Sequence, residues 1–169
     1  MNKIRVLLDS TYLLPALGIE IVEGWTKKNL LFLLQNEALS LYYVDLSLFE
    51  IYTKILKLII QKKITADVHE IQKAFDSIVV SNNLKRIKWY NHLVDPEFLL
   101  KMKELHEDSI DCMLFYISLL TCDCFATYDL SLINNIRSSD EMIEWVKDLN
   151  PEFTVWLGNL NTTPEKLIK

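Results

Sequence analysis

Near-continuous apolar runs alternate with segments of helical period along most of this chain. Residues 4 to 8, 39 to 44 and 124 to 128 read as strands. Strands covered on both faces lose the polar-apolar alternation of a half-exposed sheet, so such runs predict a parallel sheet. Between them, helices are predicted over Glu23 to Gln35, Ser47 to Lys62, Ala66 to Val79, Asp108 to Leu120 and from Ser139 or Asp140 to Leu149. In the second of these, Leu48, Ile51, Ile55, Leu58 and Ile59 keep the three-to-four spacing of one buried face. Asp95-Pro96 signals a further helix start, with proline at the first helical position. Ser10 and Thr11 can cap a short helix that Pro15 and Gly18 disturb or end. Beyond Asn150-Pro151 the tail is expected to be extended or irregular. The expected class is α/β, three layers with a central, mostly parallel sheet.

Two of these runs end in an acid, Asp9 after Leu8 and Asp129 after Tyr128. In an open α/β sheet, ligand crevices form at the carboxyl ends of strands. Glu50 and Asp111 lie near the starts of apolar helical segments. Carboxylates gathered at one place repel unless a cation lies between them. Mg²⁺ or Mn²⁺, with their preference for oxygen donors and phosphates, suit that role. The four acids therefore point to metal-assisted phosphodiester hydrolysis. Each also has a structural reading. Asp9 and Asp129 can cap the helices that follow them, and Asp111 can complement a helix dipole. Ser47-Leu48-Phe49-Glu50 fits a capping box.

The net charge of −5 argues against coating nucleic acid through bulk positive potential. Local basic patches must then contact a substrate. Lys85, Arg86 and Lys88, beside Trp89 and Tyr90, are the candidate RNA contacts. The competing reading, and the favoured one, is a strand with a solvated charged face and a buried Trp89. Three glycines without a phosphate-cradling loop argue against a P-loop or dinucleotide-binding domain. Cys112, Cys122 and Cys124 form no disulfide framework. They are read as small buried thiols in a reducing cytoplasm rather than as zinc ligands. His69, His92 and His106 lack partner or triad spacing, and His92 and His106 are expected at the surface or an interface. No apolar run nears the roughly 20 residues that span a bilayer. The amino-terminal run is too short for a signal-peptide core, so a cytoplasmic location is expected.

The ordered set Val6-Leu7-Leu8-Asp9-Ser10, Ser47-Leu48-Phe49-Glu50, Asp111-Cys112-Met113-Leu114 and Phe125-Ala126-Thr127-Tyr128-Asp129 closely resembles the PIN-domain nucleases. The match covers about residues 4 to 136 of a single expected domain, 1 to 169, with a helical or irregular C-terminal extension. The resemblance implies a PIN-like α/β/α fold and a Mg²⁺- or Mn²⁺-dependent endoribonuclease. Asp9, Glu50, Asp111 and Asp129 would be the metal-binding and catalytic acids. Thr127 would orient a carboxylate, and Asp108 would serve as cap, supporting acid or additional ligand. Many members are toxins of toxin–antitoxin pairs and homodimers are common, so RNA, an antitoxin and a second copy are the implied partners. The long stretch between Glu50 and Asp111 departs from the short toxin pattern and looks more like longer archaeal stand-alone members. The alternative is a non-catalytic PIN-like module that binds RNA or protein.

Overall fold

The computed structural model describes residues 3–19, 24–62, 67–92, 95–158, 160 and 163–168. Its strands are β1 (Ile4–Leu8), β2 (Leu39–Val44), β3 (Leu84–Ile87), β4 (Cys124–Thr127), β5 (Thr154–Leu157) and β6 (Glu165–Lys166). They form one sheet in the order β3-β2-β1-β4-β5-β6. β1 to β5 are mutually parallel, and β6 closes the far edge antiparallel to β5. The eight helices assigned among the described residues are α1 (Ser10–Leu13), α2 (Lys27–Leu34), α3 (Asp45–Ile60), α4 (Val68–Val79), α5 (Pro96–Leu105), α6 (Ser109–Thr121), α7 (Leu130–Arg137) and α8 (Asp140–Leu149).

Strand side chains alternate between the two faces, and each face has its own core. Val6, Leu8, Leu41, Tyr43, Cys124 and Ala126 pack against Tyr12 and Leu13 of α1, Leu30 and Leu33 of α2, Ile51 and Ile55 of α3, and Ile78 of α4. Leu7, Phe125 and Val155 face Phe98 and Met102 of α5, Phe115 of α6, Ile133 of α7 and Val146 of α8. The architecture is therefore three layers, α/β/α. Burial on both sides explains why β1 and β4 carry so little polar character.

Strand order creates the functional geography. From β1 the chain moves outward through β2 to β3, then crosses back to place β4 on the other side of β1. Helices leaving β1 and entering β4 thus lie on opposite faces. A crevice opens where they part, at the carboxyl ends of these two strands.

Local expectations mostly hold, with physical reasons where they fail. β2 has its expected bounds, and Asp95 caps α5 with Pro96 in the first turn. Pro15 converts the end of α1 into a 3₁₀ turn, Leu14–Leu17, and Gly18 ends it at φ 73°. The cap of α1 is Asp9 rather than Ser10 or Thr11. α2 begins at Lys27 because Asn29 Oδ1 accepts from both the backbone N–H and the hydroxyl of Thr26. The expected helix starts at Glu23 and Ala66 lie outside the described residues. Ser47 does not open a capping box. α3 starts at Asp45, so Ser47 is already inside the first turn, without the extended backbone a cap needs. Of the two forms expected for the tail, extended or irregular, the described residues show the extended one. β5 extends the parallel sheet beside β4, and β6 pairs with it. The three cysteines are buried and free, and burial pushes Cys112, Cys122 and Cys124 up to about 11, 11 and 12. Trp89 is not buried: β3 ends at Ile87, and Trp89 enters a 3₁₀ turn with 42% of its surface exposed.

Candidate metal centre

Asp9 continues the β1 ladder by one residue, its N–H donating to Ala126 O at 3.0 Å. The residue is buried, with 5% of its surface exposed. Oδ1 accepts from Ser10 Oγ at 3.1 Å and from Thr11 N at 3.4 Å, which caps α1. Oδ2 accepts from Thr127 Oγ1 at 3.0 Å. Thr127, at the end of β4, also accepts from Asp129 N at 3.0 Å and so ties the two strand ends together. Asp129 Oδ1 caps α7 by accepting from Leu132 N at 2.8 Å. At Asp129 capping and site membership coexist, because Oδ1 caps α7 while Oδ2 faces His106.

Glu50 arrives from α3, on the sheet face that carries α1, and Asp111 from α6 on the opposite face. Glu50 is 5% exposed. Its Oε1 pairs with Lys54 one helical turn later, and Oε2 is buried with no hydrogen-bond partner. Lys54 also reaches Ser10 Oγ at 3.5 Å. Burial works against the Lys54 ammonium, but Glu50, Asp9 and Asp111 together hold its pKa above the ordinary value. Burial, reinforced by Glu50, raises the Asp9 carboxyl above the usual carboxylate range. Asp111 is pushed up to about 8, first by burial and then by Asp9, Asp108 and Glu50, against the pull of Lys54. A buried carboxylate oxygen without a donor is expensive, and two neighbours driven towards their protonated forms share its cause. A divalent cation relieves both, so these oxygen donors fit one.

The four acids do not converge on one point. Asp9, Glu50 and Asp111 bring one oxygen each to within 4.8 Å of one another. Asp129 belongs to a second group, with Asp111 and His106, inside the same limit. Asp111 is common to both. Asp108 is exposed and caps α6, accepting from Ile110 N at 2.8 Å and from Asp111 N at 3.4 Å. Its negative charge therefore acts on Asp111 from the helix end.

His106, expected at the surface or an interface, lies largely covered beside two of the acids. Its side chain is 12% exposed, and Nε2 lies 3.3 Å from Asp129 Oδ2 and 3.5 Å from Asp111 Oδ2. The ring follows α5 in the short link to α6, where no spacing in the sequence distinguishes it.

No family model and no curated protein matches this chain. The geometry itself shows a cluster of buried acids and a histidine capable of chelating a divalent metal. No helix among the described residues is long and apolar enough to cross a membrane. Of the basic candidates, Arg86 pairs with Asp45 at 3.0 Å, and Lys85 donates to Ser40 Oγ at 2.9 Å and lies over the Tyr42 ring. Lys88 has no ion pair among the described residues and is exposed, as is Tyr90. Because β3 is parallel to β1, Lys88, Trp89 and Tyr90 leave the sheet at the same rim as Asp9. Two strand spacings put them about 10 Å to the side.

Proposed function

We propose that this chain is a divalent-metal-dependent endoribonuclease of the PIN-domain type. The observation that carries this reading is the meeting of Asp9, Glu50 and Asp111 at the strand-order switch, with a Glu50 oxygen buried and unpartnered. The order of the four acid-bearing pieces along the chain supports it. So does the placement of Thr127 on Asp9, which matches the role that the resemblance implies.

Asp9, Glu50 and Asp111 would hold Mg²⁺ or Mn²⁺, with Asp129 completing the acid set. The ion would supply Lewis-acid stabilisation of phosphate charge and a lowered pKa for water. Thr127 fixes the rotamer of Asp9 by donating to Oδ2, so that carboxylate is held ready before a cation arrives. Lys54, 43% exposed at the rim, neutralises Glu50 and presents positive charge where a phosphate would approach. Lys88 and the exposed rings of Trp89 and Tyr90 offer phosphate contact and a stacking surface for unpaired bases. RNA strands cut in this way would carry a 5′-phosphate and a 3′-hydroxyl, as the resemblance implies.

The test is cleavage of a panel of structured and single-stranded RNAs with Mg²⁺ or Mn²⁺, comparing the native chain with folded Asp9→Asn and Asp111→Asn variants. Cleavage that needs metal and is lost in both variants supports the proposal. Full metal-dependent cleavage by both variants would remove these acids from the chemistry.

A further inference from the structure

The two donor groups that share Asp111 differ in chemistry. Asp9, Glu50 and Asp111 offer carboxylate oxygen alone, whereas His106, Asp111 and Asp129 offer one ring nitrogen and two oxygens. His106 Nε2 stands at 3.3 Å and 3.5 Å from the two oxygens. Both distances exceed the roughly 2.7–2.9 Å of a charge-assisted hydrogen bond. One ring N–H shared between both oxygens at these lengths serves each poorly, and neither Asp111 nor Asp129 forms a salt bridge with a lysine or arginine among the described residues. Adjacent donors around one cation at roughly 2.1 Å stand about 3.0–3.5 Å apart, which is this spacing.

The backbone that carries the ring is also pinned. His106 N donates to Met102 O at 2.8 Å, and its carbonyl accepts from Cys112 Sγ at 3.8 Å. Asn135 of α7 donates to Leu105 O at 2.6 Å. The link that carries His106 is thus pinned to α5, α6 and α7, the elements that also present Asp111 and Asp129. A second observation, independent of the histidine, comes from the neighbouring group. There Glu50 Oε2 is buried with no hydrogen-bond partner although Lys54 pairs with Oε1, and that group meets the His106 group at Asp111.

We infer that the centre holds two inequivalent cations and that His106 is a ligand of the second. The oxygen-only group suits Mg²⁺. Imidazole suits ions of borderline softness, so the His106 group favours Mn²⁺ over Mg²⁺. Asp111 serves both positions. This inference rests on the metal reading of the same centre proposed above.

The experiment titrates metal-free protein with Mn²⁺ by calorimetry and records pulsed electron paramagnetic resonance of the bound ion. The native chain takes two Mn²⁺ and shows coupling to a ring nitrogen. His106→Gln takes one, loses the nitrogen coupling, and Mg²⁺ displaces its remaining Mn²⁺ at a ratio at least tenfold lower. If His106→Gln does not fold, the nitrogen coupling in the native chain decides. Bound Mn²⁺ without nitrogen coupling, or two ions with unchanged affinity in His106→Gln, overturns the role of His106 and leaves the four-acid reading standing. No Mn²⁺ binding by the native chain overturns both.

Discussion

Asp111→Asn should make the metal-free protein more stable, although it removes a residue assigned to the site. Asp111 is pushed up to about 8 by burial and by Asp9, Asp108 and Glu50, from an ordinary value of 3.8. Between those values the folded state holds a proton that the unfolded chain has released, so folding loses stability as pH rises. The loss is absent below about pH 4, grows by about 1.4 kcal/mol per pH unit, and is complete above about pH 8. At pH 7 this comes to about 4 kcal/mol, and relaxation around the carboxyl lowers the expectation to about 2–4 kcal/mol. Asparagine cannot ionise and escapes the cost. Urea unfolding in the presence of a chelator, at intervals from pH 5 to pH 8, measures it. The difference between variant and native chain isolates Asp111 from the other titrating groups, including Asp123, which Arg5 holds below the ordinary range. The variant should gain on the native chain as pH rises, with a melting temperature higher by about 5–10 °C at pH 7. Mn²⁺ at about a thousand times its Kd should cancel or reverse the order, since it adds about 4.1 kcal/mol only to the chain that binds it. A metal-free variant less stable than the native chain at pH 7, with no dependence on pH, would refute the argument that these carboxyls are held together at a cost.

Thr127→Val removes the donor to Asp9 Oδ2 and the acceptor for Asp129 N. It should cost about 1–3 kcal/mol in urea unfolding and weaken Mn²⁺ binding in calorimetry. Unchanged affinity would mean that Thr127 does not prepare Asp9. Lys54→Met leaves both Glu50 oxygens without a cationic partner among the described residues. Metal-free stability should fall by about 1 kcal/mol, and added Mn²⁺ should restore more than it does for the native chain. Equal Mn²⁺-induced shifts in melting temperature would count against it. Lys88→Ala should weaken binding to unpaired RNA and flatten the salt dependence by about 0.7 in log–log slope. Trp89→Ala should cost about 1–3 kcal/mol in affinity through lost stacking. Fluorescence anisotropy unchanged in both would place the RNA path elsewhere.

The strands β1, β2 and β4 and the acids at the ends of two of them were legible because they are local. A strand buried on both faces must be apolar at nearly every position, and that requirement is written within five or six residues. Asp95-Pro96 and Gly18 are equally local, since each sets the backbone where it stands. β5 was legible only as part of an extended or irregular tail, because Thr154–Leu157 is short and its pairing partner, β4, lies about thirty residues upstream. Trp89 was read as buried because the alternation of Ile87 and Trp89 cannot reveal that the strand stops at Ile87.

For the site, composition and order along the chain were enough to nominate Asp9, Glu50, Asp111 and Asp129. Tertiary structure decided how they combine. The return of the chain from β3 to β4 brings α3 and α6 to one crevice from opposite faces of the sheet, which joins Glu50 and Asp111 to Asp9. The same crossing sets His106 against Asp111 and Asp129 and divides four acids into two groups with one shared member. A sequence can specify which residues carry charge and which backbone they prefer. Distances between charges far apart along the chain depend on strand order and on which face each helix covers, and those emerge only when the two cores close on the sheet.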